Sequence, residues 1–189
     1  MTTLLAVCPY SNWGNPLYCL SAGAAILGGE NAGKTQAMIE GVETKKLVTH
    51  VDERGFFREI VRAAEGIVRE GWAQVSHSLM FPGVAKAWHV HPTQTDWWYV
   101  VAGDLKVALY DLRDGSPTKG ELQEVFLGEH YEAQLLKIPP GVAHGCKAIG
   151  GQAHLVYLTS SVYDPKEEER IPHDDPSIGY DWLAPPPIT

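Results

Sequence analysis

A chain of 189 residues, 44% hydrophobic and 20% charged, is long enough for one sizeable core and too apolar for a disordered segment. Its formal charge of −8, with no basic run, excludes nucleic-acid binding through a cationic surface. Cys8, Cys19 and Cys146 form no CxxC pair, and no apolar stretch reaches bilayer length, so the expectation is a cytoplasmic protein with no membrane partner.

Residues 1–40 are rich in Gly, Ala and Asn and show little periodicity; we read them as an N-terminal arm and residues 41–189 as one domain. Within the arm, Gly28–Thr35 (GGENAGKT) matches the phosphate-loop pattern. That motif needs a buried strand before it and a helix after it, in a parallel sheet. Neither flank has that character, so the stretch reads as a glycine-rich arm.

From Val42 the texture changes. Lys46–Val51 alternates weakly, Asp52–Val61 predicts a turn and an aromatic strand, and Ala63–Gly71 holds one short helical turn. Strands are then expected at Trp72–Met80, Ala85–His91, Trp97–Val101, Asp104–Asp111, Glu121–Phe126, Ala133–Ile138, Ala143–Ile149 and Gln152–Thr159. The turns between them include Ala102-Gly103-Asp104 and Gly150-Gly151. Short strands at this spacing predict an all-β antiparallel sandwich or barrel. After Asp164 an acidic run and prolines predict a short irregular extension.

The chemistry concentrates in Gly83–Gly103. His89 and His91 share a strand face because side chains alternate, and Asp96 follows the Pro92 turn. His144 comes after the Pro139–Gly141 turn. Three imidazoles and a carboxylate form a ligand set for a divalent first-row metal such as zinc, iron, manganese or nickel. The spacing fits the metal pattern of the cupin superfamily, with Asp96 where that pattern has Glu. Of the neighbouring aromatics, Trp88, Trp97 and Tyr99 read as core, Cys146 as a small buried hydrophobe, and Glu167–Glu169 as a solvated charge run.

Residues 42–182 resemble the dTDP-4-dehydrorhamnose 3,5-epimerase family, a jelly-roll cupin. The matching segments include Asp52–Phe57 with Glu59, Gln74–Ser78, Gly83-Val84, Asp111–Arg113, Ile138–Gly145, Tyr157, Tyr163–Pro165 and Asp174–Gly179. The resemblance implies proton abstraction beside a sugar ketone, with His89 as base and Tyr157 as acid. It also implies Arg54 on a nucleotide diphosphate and a cavity lined near Gln74. Glu59 and Lys86 are further candidate substrate contacts, and Trp98 either stacks on a sugar or base or joins the core. His77 is a further candidate for moving the proton.

Three positions depart from the family. Its arginine before the base is Lys86, its glutamine after the base is His91, and its oxyanion lysine falls on Asp96. The family's aspartate that holds the base comes from a segment after the last tryptophan turn, and this chain ends soon after Trp182. The expectation is therefore a metal-assisted epimerase on a keto-sugar, possibly nucleotide-linked, acting as a homodimer. His89 is then either a ligand or the base. The alternatives are an Fe(II) cupin oxygenase and a non-catalytic sugar- or metal-binding module.

Overall fold

The computed structural model describes residues 38–186. Gly28–Thr35, Cys8, Cys19 and nearly all of the arm lie outside the described residues. The strands are β1 (Glu43–Lys46), β2 (Thr49–Asp52), β3 (Gly55–Arg58), β4 (Gln74–Met80), β5 (Ala85–Val90), β6 (Asp96–Asp111), β7 (Leu122–Gly128), β8 (Gln134–Ile138), β9 (Val142–Thr159) and β10 (Glu169–Arg170). The predicted helical turn is a 3-10 turn at Gly66–Val68. Among the described residues no helix is long and apolar enough to cross a membrane.

Two of the predicted turns are not turns. Ala102–Asp104 lies inside β6 and Gly150-Gly151 inside β9, so four expected strands merge into two long ones. β6 and β9 pair with each other from Asp96↔Thr159 to Asp111↔Val142, with register shifts around Ala102. Gly103 permits this bulge. Its φ is +74°, and a Cβ there would come within 2.0 Å of the Gln152 carbonyl oxygen, so only glycine lets the two backbones approach.

The bend makes the jelly roll. The first part of β6 pairs with β8 and the last part of β9 with β4, while β1 continues the layer beyond β8. The other halves pair with β7 and with β5, and β10 adds an edge beyond β5. Every pairing is antiparallel, as the short alternating strands predict. Between the layers Leu105, Val107, Leu109, Leu127, Leu136, Ile138 and Val142 are buried, each contributing about 1.5–3 kcal/mol of transfer free energy. β2 and β3 form a separate hairpin that leaves Val51, Phe56 and Phe57 exposed.

β4 reverses the ordinary half-buried pattern. Gln74, Ser76, Ser78 and Met80 turn inward, whereas Val75, His77 and Leu79 turn outward and are exposed. Polar side chains on an inner face mean that the layers part there and enclose a cavity.

Candidate active site

The cavity has a volume of about 570 Å³. The strand register assembles its walls row by row. In the first layer Gln74, Thr159 and Asp96 stand abreast, and in the next row Ser76, Tyr157 and Trp98. In the second layer His89, His144 and Leu109 form one row, and Lys86, Cys146 and Val107 another. His89 and His91 both line the cavity, as their spacing predicts, while Trp88 and Val90 pack outward against Ile178 and Trp182. Lys86 lines it too, because the β5 register shifts between Lys86 and His89.

Asp96 opens β6, yet β6 is not the neighbour of β5; the Pro92–Gln94 turn brings Asp96 back beside His91. Its carboxylate is 5% exposed and accepts hydrogen bonds from Gln94 Nε2 at 2.8 Å and Trp98 Nε1 at 3.1 Å. The ligand atoms of His91, Asp96 and His144 lie within 4.8 Å of one another. His144 Nε2 is 3.9 Å from Asp96 Oδ2, too far for a hydrogen bond. Burial pushes the His144 pKa down to about 4 against the attraction of Asp96, so the ring is neutral at pH 7.

His89 does not join that group. Its Nδ1 is 3.1 Å from Glu168 Oε1, so the expected four-ligand set divides into a three-residue cluster and a separate histidine–carboxylate pair. Burial is the main cause that lowers the His89 pKa, and Glu168 opposes it. Glu168 corrects the expectation of a solvated acidic run: its side chain is only 15% exposed and also accepts from Arg170. No local signal marks it, since antiparallel pairing of Arg170 with His89 is what delivers it.

Tyr157, Gln74, Lys86 and Trp98 line the cavity. Gln74 Nε2 donates to Ser76 Oγ at 2.9 Å, and Lys86 Nζ donates to Ser78 Oγ at 2.7 Å. Three expected site residues lie elsewhere. His77 projects from the outer face of β4 and shares a hydrogen bond with His154 at 3.0 Å. It is three residues from cavity-facing Gln74, and that odd offset puts it on the other side of the strand. Arg54 caps the β2–β3 hairpin, 84% exposed and paired with Asp52, and Glu59 pairs with Arg62 just beyond β3; neither lines this chain's cavity. Cys146 is a buried thiol whose pKa burial raises to about 12, in keeping with a packing role. Ser78, Gln94, Tyr163 and Arg170 line the cavity without having been expected there; for Ser78 the period-2 offset from Gln74 is a usable signal.

Residues 36–189 match the family model described as dTDP-4-dehydrorhamnose 3,5-epimerase. The spore coat polysaccharide biosynthesis protein SpsL of Bacillus subtilis is 46% identical over 77% of this chain and 97% of its own. A dTDP sugar isomerase from Desulfovibrio desulfuricans superposes with a TM-score of 0.72 at 32% identity, covering 76% of this chain and 92% of that one. The Legionella pneumophila dTDP-6-deoxy-D-glucose-3,5-epimerase, solved with dTDP-4-keto-L-rhamnose, has a TM-score of 0.70 at 28% identity, covering 82% and 85%. The family match over residues 36–189 and the shared jelly roll show that the chain belongs to the dTDP-4-dehydrorhamnose 3,5-epimerase family.

Proposed function

We propose that the protein epimerises a nucleotide-linked keto-sugar by removing a proton from a carbon beside the ketone and returning one to the opposite face. The observation that carries this reading is that His89 and Tyr157 line one cavity from its two different layers. A planar enolate between the layers meets an imidazole from one side and a phenol from the other, which inversion requires. Burial keeps His89 a free base near neutral pH. Lys86 and Arg170 are the cations lining the cavity and supply the positive charge that a diphosphate needs. The direct test is to incubate the protein with a dTDP-linked 4-keto-6-deoxy sugar in D2O and follow the ring protons by NMR. Deuterium with inverted configuration beside the ketone, without oxygen uptake, is the expected result. Oxygen consumption would favour the oxygenase, and binding with no exchange would favour a non-catalytic module.

A divalent metal at His91, Asp96 and His144 is the second part of the reading. His91 Nδ1 meets the Glu167 carbonyl at 2.9 Å and His144 Nδ1 meets the Val142 carbonyl at 3.0 Å. A carbonyl only accepts, so each Nδ1 carries the proton and each Nε2 keeps a free lone pair, an arrangement typical of histidine ligands. The buried Asp96 carboxylate adds the negative charge a cation would balance. A cation held there would polarise the sugar ketone, in the place where the family resemblance puts a lysine. Elemental analysis after reconstitution tests this: about one metal per chain, lost in His144→Ala, supports it, and far less than one in the parent protein would remove it. A homodimer is supported by the exposed apolar residues Val75, Leu79 and Val101 and by the Val51, Phe56 and Phe57 side chains of the hairpin, which a second subunit would cover. A cytoplasmic location is supported by three cysteines without a CxxC pair.

A further inference from the structure

Beyond β9 the chain leaves the sheet and runs along the cavity wall as a strap, tied at several points. Ser161 Oγ donates to Gln94 Oε1 at 2.8 Å, and the Tyr163 amide donates to Gln74 Oε1 at 2.9 Å. Thr93 Oγ1 donates to Glu167 Oε2 at 2.6 Å. The strap ends in β10, after which Ile171 and Trp88 exchange both backbone hydrogen bonds at 3.1 Å. Two consecutive residues of this strap meet two different cavity histidines: the Glu167 carbonyl accepts from His91 Nδ1 and the Glu168 carboxylate faces His89 Nδ1.

We propose that Glu168 is the positioning residue of His89, and that the strap fixes the tautomers of His89 and His91 together. A backbone carbonyl and an ionised carboxylate are acceptors only. Each imidazole therefore carries its hydrogen on Nδ1, and Nε2 of His89 is left as the basic nitrogen. Arg170 places its guanidinium on the same Glu168 oxygen at 2.7 Å, which holds the carboxylate in its ionised, accepting form. The register of β10 fixes this geometry, because Arg170 lies directly opposite His89. The orienting carboxylate thus comes from the strap, ahead of Trp182, and needs no residue beyond the C-terminal turn.

This inference rests on His89 being the base, and the experiment separates the two claims. Glu168→Gln, Glu168→Asp and His89→Asn are compared for deuterium exchange into the dTDP-linked keto-sugar, alongside 15N spectra of histidine-labelled protein. Glu168→Gln is expected to lower kcat about 10- to 100-fold with little change in KM. Glu168→Asp is expected to recover part of that loss. The His89 15N signals should move from the Nδ1–H form toward a tautomer mixture in Glu168→Gln, while those of His91 stay in place. If His89→Asn abolishes exchange but Glu168→Gln leaves both kcat and the His89 tautomer unchanged, the positioning role is wrong. If His89→Asn leaves exchange intact, it is the base reading that fails.

Discussion

The histidines on or next to β4, β5 and β9 fall into two groups that the same residue type does not distinguish. His89, His91 and His144 face the cavity, and each sets its Nδ1 against a carboxylate or backbone carbonyl. His77 and His154 face outward from neighbouring strands and bond to each other. A ring whose one nitrogen is committed to an acceptor offers the other with a defined lone pair. Two rings that share a hydrogen bond on an exposed face use one another's capacity and aim nothing at the cavity. What separates chemistry from surface here is strand parity and the partner of Nδ1.

The sharpest way to break this comparison is to remove the proposed base. His89→Asn should lower deuterium exchange about 10³-fold, with the thermal midpoint of unfolding little changed because His89 is a cavity-wall residue outside the apolar core. Retained exchange would erase the distinction.

The second prediction concerns stability and His144. Its folded pKa of about 4 lies below the ordinary 6.5, so between those values the unfolded chain binds more protons than the folded one. Stability is therefore fully present above about pH 6.5 and is lost as the pH falls toward 4, by on the order of 3 kcal/mol. Urea titrations of chelator-treated protein across that window should show the loss, and His144→Gln should flatten the slope.

Tyr157→Phe comes next. Inverted product should fall about 10²-fold, while deuterium still enters with retained configuration, since His89 can return a solvent proton to its own face. Equal loss of exchange and inversion would place Tyr157 in the same step as the base. The smallest effect belongs to the outward pair: His77→Ala should change stability by no more than about 0.5 kcal/mol and leave exchange unaltered. A large loss of exchange there would mean that the outer face takes part in the chemistry.

Much of this arrangement was legible in the sequence. The His-x-His spacing placed His89 and His91 on one face, and the Pro139–Gly141 turn placed His144 at the start of a strand that pairs beside them. His77 was expected among the candidates, although its odd offset from Gln74 is a parity signal against it. Other features depend on contacts distant along the chain. Gly103 looks like a turn signal, but it meets the backbone of Gln152 and Ala153 and so bends a continuous strand. Glu168 sits in a run of three glutamates with no sign of burial, until β10 pairs with β5 and draws it to His89. Arg54 and Glu59 were expected from the family resemblance, yet they stand on or beside the separate β2–β3 hairpin, and no pattern in one chain reports where such a hairpin lies relative to the cavity.

The account turns on whether the cavity histidine, and not the outward one, moves the proton. The most direct measurement is the rate of deuterium entry beside the ketone of a dTDP-linked 4-keto-6-deoxy sugar, compared among the parent protein, His89→Asn and His77→Asn. The account predicts exchange with inversion in the parent and in His77→Asn, and its near-complete loss in His89→Asn. Exchange that survives in His89→Asn, or never occurs in the parent protein, would contradict it.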